Sequence, residues 1–174
     1  LMMAAVPIAI GLIQPVAGIL SDRIGTRPMI LLGLIVMVFG FLAMSTLQAD
    51  GSTQGFALRL LPIAVGVALF YSPNNSAIMG SAPRDRLGVV SGTLAATRTV
   101  GQTTGIALLG ALWAGRTLYY ATSTPAAGAT GASAEAQAAA LHDTFLVTMI
   151  LVATALLLAV IAWLRGRSTR DVIA

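Results

Sequence analysis

The sequence predicts an all-α protein, a polytopic bundle of transmembrane helices, and three observations predict it. Of its 174 residues, 57% are apolar and only 9% are charged, against about 25% charged in an ordinary soluble domain. The apolar residues come in unbroken runs of span length, long enough to cross a hydrocarbon layer of about 30 Å. No ten-residue segments of alternating polarity occur, which argues against a membrane barrel.

The charge pattern narrows the partners. A sequence pI of about 10.7 would suit nucleic acid, but here it comes from ten arginines and no lysine set against six acids, scattered over short loops. That is the arginine bias of cytoplasmic loops, not a nucleic-acid patch. The absence of cysteine excludes disulfides and thiolate metal sites. A single histidine, His142, cannot build a metal cluster with these acids, so no metal or other cofactor is expected. Leu1 stands inside an apolar run with no basic leader before it, which reads as a piece of something longer.

Five spans follow in order. The first covers residues 1–20, apolar except for Gln14, with Pro15 beside it allowing a kink. Gln14 either bonds a neighbouring helix or faces a cavity. Ser21 to Pro28 reads as a tight charged loop, with Pro28 suited to the first turn of the next helix. The second span, residues 28–47, has almost nothing polar in it and is assigned to packing and lipid contact. A short polar loop from Gln48 to Gly55 turns at Asp50-Gly51.

The third span, residues 56–81, opens with Arg59, close enough to the end to snorkel. Deeper in, it carries Tyr71-Ser72-Pro73-Asn74-Asn75-Ser76. Asn74 and Asn75 cannot both face one way, and neither suits lipid. The patch is either a source of inter-helix hydrogen bonds or a broken, cavity-lining segment. Ala82 to Leu87 is the next charged loop. The fourth span, residues 88–114, contains GVVSGTLAATRTVGQTTGIALLGA and places Arg98 near mid-membrane, where an arginine is costly unless it faces protein or water. Ser91, Arg98, Gln102 and Gly105 share one side at helical spacing. Gly88, Gly92, Gly101 and Gly105 give this helix a small face suited to close packing, against a partner absent from the sequence. Arg116 to His142 is one long connection, expected to be a mobile extramembrane loop with at most a short helix near Ala132–Ala140. The last span covers residues 144–164, and residues 165–174 form a basic tail.

This succession sets an orientation. Arg23, Arg27, Arg84, Arg86, Arg165, Arg167 and Arg170 lie on one side and only Arg59 and Arg116 on the other, which puts the first side in the cytoplasm and Leu1 outside. All six acids, Asp22, Asp50, Asp85, Glu135, Asp143 and Asp171, fall in loops or at span ends. No carboxylate stands at mid-membrane, where a proton carrier is expected. With no intramembrane histidine or acid pair, and no nucleophile with a partner, an intramembrane enzyme is not supported.

Gly18-Ile19-Leu20-Ser21-Asp22-Arg23-Ile24-Gly25-Thr26-Arg27 resembles the loop signature of the major facilitator superfamily, glycine-x-leucine-x-aspartate-arginine-x-glycine-x-arginine, between the second and third helices of each six-helix half. Ser72 to Gly110 looks like the fourth and fifth helices of the C-terminal half in the fourteen-helix drug:proton antiporters, where an arginine followed by two glycines four apart recurs, as do Arg98, Gly101 and Gly105. The resemblance covers essentially the whole chain. It implies five of the six helices of a C-terminal half, with an N-terminal half as missing partner. It also implies a multi-pass inner (plasma) membrane protein that exports small amphipathic molecules, multidrug or toxin efflux with antibiotic resistance, using the proton gradient. In that family the loop of Gly18, Asp22, Arg23, Gly25 and Arg27 is a conformational latch, and the coupling acid would lie outside this sequence. Arg98, Gln102, Asn74, Asn75 and Gln14 are the candidates for the cavity. The alternatives are a non-transporting membrane-embedded assembly subunit and an importer of another solute.

Overall fold

A computed structural model describes residues 2–47, 53–122 and 127–171, with side chains at 7, 8, 10–47, 54–122 and 127–165. It contains five helices: α1 (Met2–Ile24), α2 (Thr26–Ser45), α3 (Thr53–Gly80), α4 (Leu87–Tyr120) and α5 (Ala134–Asp171). Single 3₁₀ turns occur at Arg84–Arg86 and Gly128–Gly131. Thr26–Ser45, Gln54–Gly80 and Ala134–Arg165 are long and apolar enough to cross a membrane.

The turn between α1 and α2 is one residue long. Gly25 adopts φ 99 and ψ 150, a region that only glycine enters at low cost. The chain can therefore leave one helix and start the next without a loop. The expected loop from Ser21 to Pro28 is corrected on this point: Asp22 and Arg23 lie in the last turn of α1, and Pro28 in the first turn of α2. A proline is harmless there because the first turn's N–H groups have no intrahelical acceptor.

Packing order across the bundle is α1, α3, α2, α5, α4, so α2 is the central helix. Glycines make that possible. A Cβ on Gly33 would lie 2.7 Å from the Phe70 nitrogen and 2.8 Å from the Gly66 carbonyl oxygen, and one on Gly40 would lie 2.7 Å from Ile63 Cγ1. The two backbones meet directly where Gly33 crosses Gly66. Met29, Leu34, Met37 and Met44 of α2 are buried around this seam. On its other side α2 meets α5 antiparallel. Phe41 and Phe145 rings lie 6.4 Å apart, and His142 Nδ1 stands 2.6 Å from the Ser45 carbonyl oxygen. At the opposite end Arg27 and Leu31 share a groove with Ala159 and Trp163.

Three further expectations change. α3 runs unbroken through Ser72–Ser76, with Pro73 fully buried inside it, so the broken-segment reading falls. α4 continues past residue 114 to Tyr120, and α5 begins at Ala134 and extends through the expected tail to Asp171. The two ends of the expected loop from Arg116 to His142, residues 116–120 and 134–142, are thus helix. The loop's alanine-rich composition favours helix, and Ser133 caps the start of α5 by accepting the Ala136 N–H at 3.3 Å. The expected turn at Asp50-Gly51 lies outside the described residues.

Candidate functional site

Ser72, Asn75 and Ser76 occupy one face of α3 at i, i+3 and i+4 spacing. α1 lies against this face. A Cβ on Gly18 would be 3.3 Å from Ser72 Oγ, so α1 comes close there. Above that contact the two helices leave an open groove of about 410 Å³ lined by Gly11, Gln14, Pro15, Ser72, Asn75 and Ser76. The structure thus brings together Gln14 and Asn75 of the predicted cavity residues. Asn74 is half-buried on another side of α3 and does not line the groove.

Arg98 joins the group from α4. Its guanidinium donates to Asn75 Oδ1 and sits over the Tyr71 ring, 4.3 Å from the centroid, a favourable cation–π position. An arginine in an apolar helix is therefore held by an amide and an aromatic face, with no carboxylate bonded to it among the described residues. Gln102, one turn further along α4, is exposed and is not among the residues lining the groove.

Little else ties α4 to this side of the bundle. Of its 34 residues, only Thr117 is buried. A Cβ built on Gly88, Gly92, Gly101 or Gly105 would find no described atom within 4 Å. Among the described residues the glycines packed closest against another helix are Gly33, Gly40 and Gly66, which the sequence reading did not single out. Their signal was present: Gly33 and Gly40 are seven residues apart, two turns along one helix face.

The residues of the loop signature behave differently from one another. Gly18 and Gly25 are explained locally, by the approach to Ser72 and by the positive φ. Asp22, Arg23 and Arg27 form no ion pair among the described residues; Asp22 and Arg23 are exposed, and Arg27 lines the separate groove between α2 and α5 beside Trp163.

A second polar cluster was missed from the sequence. Arg116 Nε and NH2 both reach Asp143 Oδ2 at 2.5 Å. Tyr120 accepts from Arg116 at 2.7 Å and donates to the same carboxylate oxygen at 2.9 Å. The guanidinium also lies 5.1 and 5.0 Å from the Tyr119 and Tyr120 rings. This knot clamps the end of α4 to the start of α5. Continuing α4 for one more turn would have placed Arg116 and Tyr120 four residues apart on one face.

Comparison with known proteins adds the following. A family model described as Major Facilitator Superfamily matches residues 1–172. An uncharacterized transporter of Escherichia coli (strain K12), YebQ, is 36% identical over 103 residues, 59% of this chain and 22% of that protein. The multidrug resistance protein Stp of Mycobacterium tuberculosis is 35% identical over 116 residues, 63% of this chain and 21% of Stp. The riboflavin transporter RibZ of Clostridioides difficile (strain 630) is 30% identical over 108 residues, 62% of this chain and 24% of RibZ. The chain thus spans only about a fifth to a quarter of the length of these relatives. No solved structure matches.

Proposed function

Because this chain belongs to the major facilitator superfamily, we propose that it is the C-terminal part of a proton-coupled transporter exporting small amphipathic molecules by alternating access. The observation that carries this reading is the match over residues 1–172 together with a relative named as a multidrug resistance protein. The polar groove between α1 and α3 supports it, because an otherwise apolar bundle gains nothing from grouping Gln14, Ser72, Asn75 and Ser76 unless they meet water or a solute. The remaining helices come from further chain of the same transporter. The open glycine face of α4 is the surface on which we place them, and the short share of each relative that is covered agrees.

In this reading Arg23, Arg27, Arg84, Arg86 and the arginines after Leu164 face the cytoplasm, and the Arg116–Asp143 knot lies outside. Asp22 has no ion-pair partner among the described residues and acts as a latch to the other half, releasing and re-forming as the transporter changes state. A latch of this kind is worth a few kcal/mol at most, since tighter binding to one state would trap the cycle. The proton-carrying acid lies in the remaining chain. The riboflavin transporter among the relatives favours one second reading, a carrier of a different small solute on the same scaffold.

Accumulation of amphipathic drugs in cells expressing the intact transporter tests both. Exporter action lowers accumulation, and collapse of the proton gradient restores it. Accumulation that rises on expression points to the carrier of another solute.

A further inference from the structure

The bond between Arg98 and Asn75 determines which atoms the adjoining groove offers. A guanidinium only donates, so Asn75 must turn Oδ1 toward it. The two hydrogens on Asn75 Nδ2 then lie on the other branch of the carboxamide, with no acceptor among the described residues. Gln14, Ser72 and Ser76, which line the same groove, also make no side-chain hydrogen bond among those residues. Arg98 uses one of its donors on Asn75 and has no carboxylate partner; the ion pairs among the described residues are Arg86–Asp85 and Arg116–Asp143. No acid is among the residues lining the groove.

Unused hydrogen-bonding groups along an open groove of an apolar bundle are met by water, by a solute or by further chain. Here the fixed charge beside them is positive and the fixed amide offers donors. We infer that the groove between α1 and α3 is a subsite for an amphipathic organic anion, a carboxylate, sulfonate or enolate, with Arg98 as its charge and Asn75 and Gln14 as its hydrogen-bonding groups. A cation in the same groove meets a guanidinium with no compensating acid. At an effective dielectric of about 20, a unit charge about 8 Å away changes affinity by about thirtyfold, in favour of an anion and against a cation. Arg98 is therefore the charge filter, acting through its field from behind Asn75 rather than by lining the groove. The inference rests on the transport reading only in making the occupant a cargo.

The test uses the intact transporter purified in detergent, with fluorescein as the anionic planar probe and ethidium as the cationic one. Wild type binds fluorescein in preference to ethidium. Arg98→Gln weakens fluorescein binding about thirtyfold and leaves ethidium binding equal or stronger, while Arg98→Lys, which keeps the charge, weakens it much less. Asn75→Asp keeps the arginine but neutralises it with a carboxylate at bonding distance, and it lowers fluorescein binding as Arg98→Gln does. This second variant decides the matter if Arg98→Gln fails to fold. Fluorescein binding indifferent to both variants, or wild type preferring ethidium, overturns the inference. Efflux of the same dyes from cells separates the two proposals. Arg98-dependent fluorescein binding without efflux upholds the subsite and overturns the transporter reading. Ethidium efflux with dye binding indifferent to Arg98 upholds transport and overturns the subsite.

Discussion

Replacing Gly66 by alanine tests whether the α2–α3 seam holds the bundle together. The new methyl would stand 2.6 Å from Met37 Cγ, 2.8 Å from the Gly33 carbonyl oxygen and 2.8 Å from the Met37 nitrogen. Met37 Cγ can move aside by a change of rotamer; the two backbone atoms cannot. Non-bonded carbon atoms prefer about 3.5–4.0 Å, and a gap of about 0.5–1 Å forfeits a quarter to a half of the attraction at each contact along a seam. The helices must part by a distance of that order. Overpacking typically costs about 1–3 kcal/mol, and the whole seam is affected, so the upper end applies. Gly→Ala in a helix returns about 1 kcal/mol of propensity, leaving a net loss of about 2 kcal/mol. Chemical unfolding of the intact protein in detergent, followed by far-UV circular dichroism, measures it. Gly80→Ala at the end of the same helix is the control, because a Cβ there meets no atom within 4 Å. Gly33→Ala acts on the same crossing, so the double variant should cost about 1 kcal/mol less than the sum of the singles. If Gly66→Ala is as stable as Gly80→Ala, the direct backbone contact is not what holds α2 and α3.

Gly25→Ala forces a side chain into φ 99 and ψ 150 and should lower stability by about 1–3 kcal/mol in the same unfolding assay; no change would mean that the turn relaxes freely. Asp22→Asn in the intact transporter should abolish or strongly reduce transport while leaving unfolding unaltered, since Asp22 is exposed and has no ion-pair partner among the described residues; full transport would remove the latch. Asp143→Asn should speed amide hydrogen exchange at the ends of α4 and α5 around Arg116 and Tyr120, and the exchanged pair Arg116→Asp with Asp143→Arg should slow it again. In a cysteine-free background, Thr122→Cys, at an exposed position just past the end of α4, should react with an impermeant maleimide added outside intact cells, and Ser168→Cys should not. The reverse pattern would invert the orientation.

Helices α2, α3 and α5 were legible because an unbroken apolar run of span length has no other stable use in a chain with so few charges. Boundaries were not, and each miss has a local cause. Asp22 and Arg23 look like loop residues by charge, yet a helix end tolerates both, and the single residue Gly25 supplies the whole turn. Residues 134–143 look like a linker by their small side chains, but alanine is the best helix former, and Ser133 supplies the cap. Of the proposed cavity residues, Gln14, Asn75 and Arg98 converge while Asn74 and Gln102 do not. Which of two adjacent asparagines faces the groove depends on the rotation of α3. That rotation is fixed by Gly66 against Gly33, a contact between helices that no single stretch of sequence contains.

The two sets of glycines lead to one conclusion about how this chain is divided. Gly33, Gly40 and Gly66 are already filled by a neighbouring helix, and a methyl added at any of them collides with an atom nearer than 3.0 Å. Gly88, Gly92, Gly101 and Gly105 meet nothing among the described residues, although glycine in a helix interior costs up to about 1 kcal/mol relative to alanine at each position. α2 and α3 therefore form a seam packed within the chain, with α1 against α3 and α5 against α2. α4 lies along α5, tied to it at one end by Arg116, Tyr120 and Asp143 and to α3 near its middle by Arg98. The Arg98–Asn75 bond joins α4 to α3, and the proposed subsite keeps that bond while a solute occupies the groove, so binding of an anion should steady α4 against α3. Hydrogen exchange across residues 90–105 of the intact transporter should accordingly fall when fluorescein is added and stay unchanged with ethidium. Equal protection in both cases would show that occupancy of the groove and the position of α4 are not coupled.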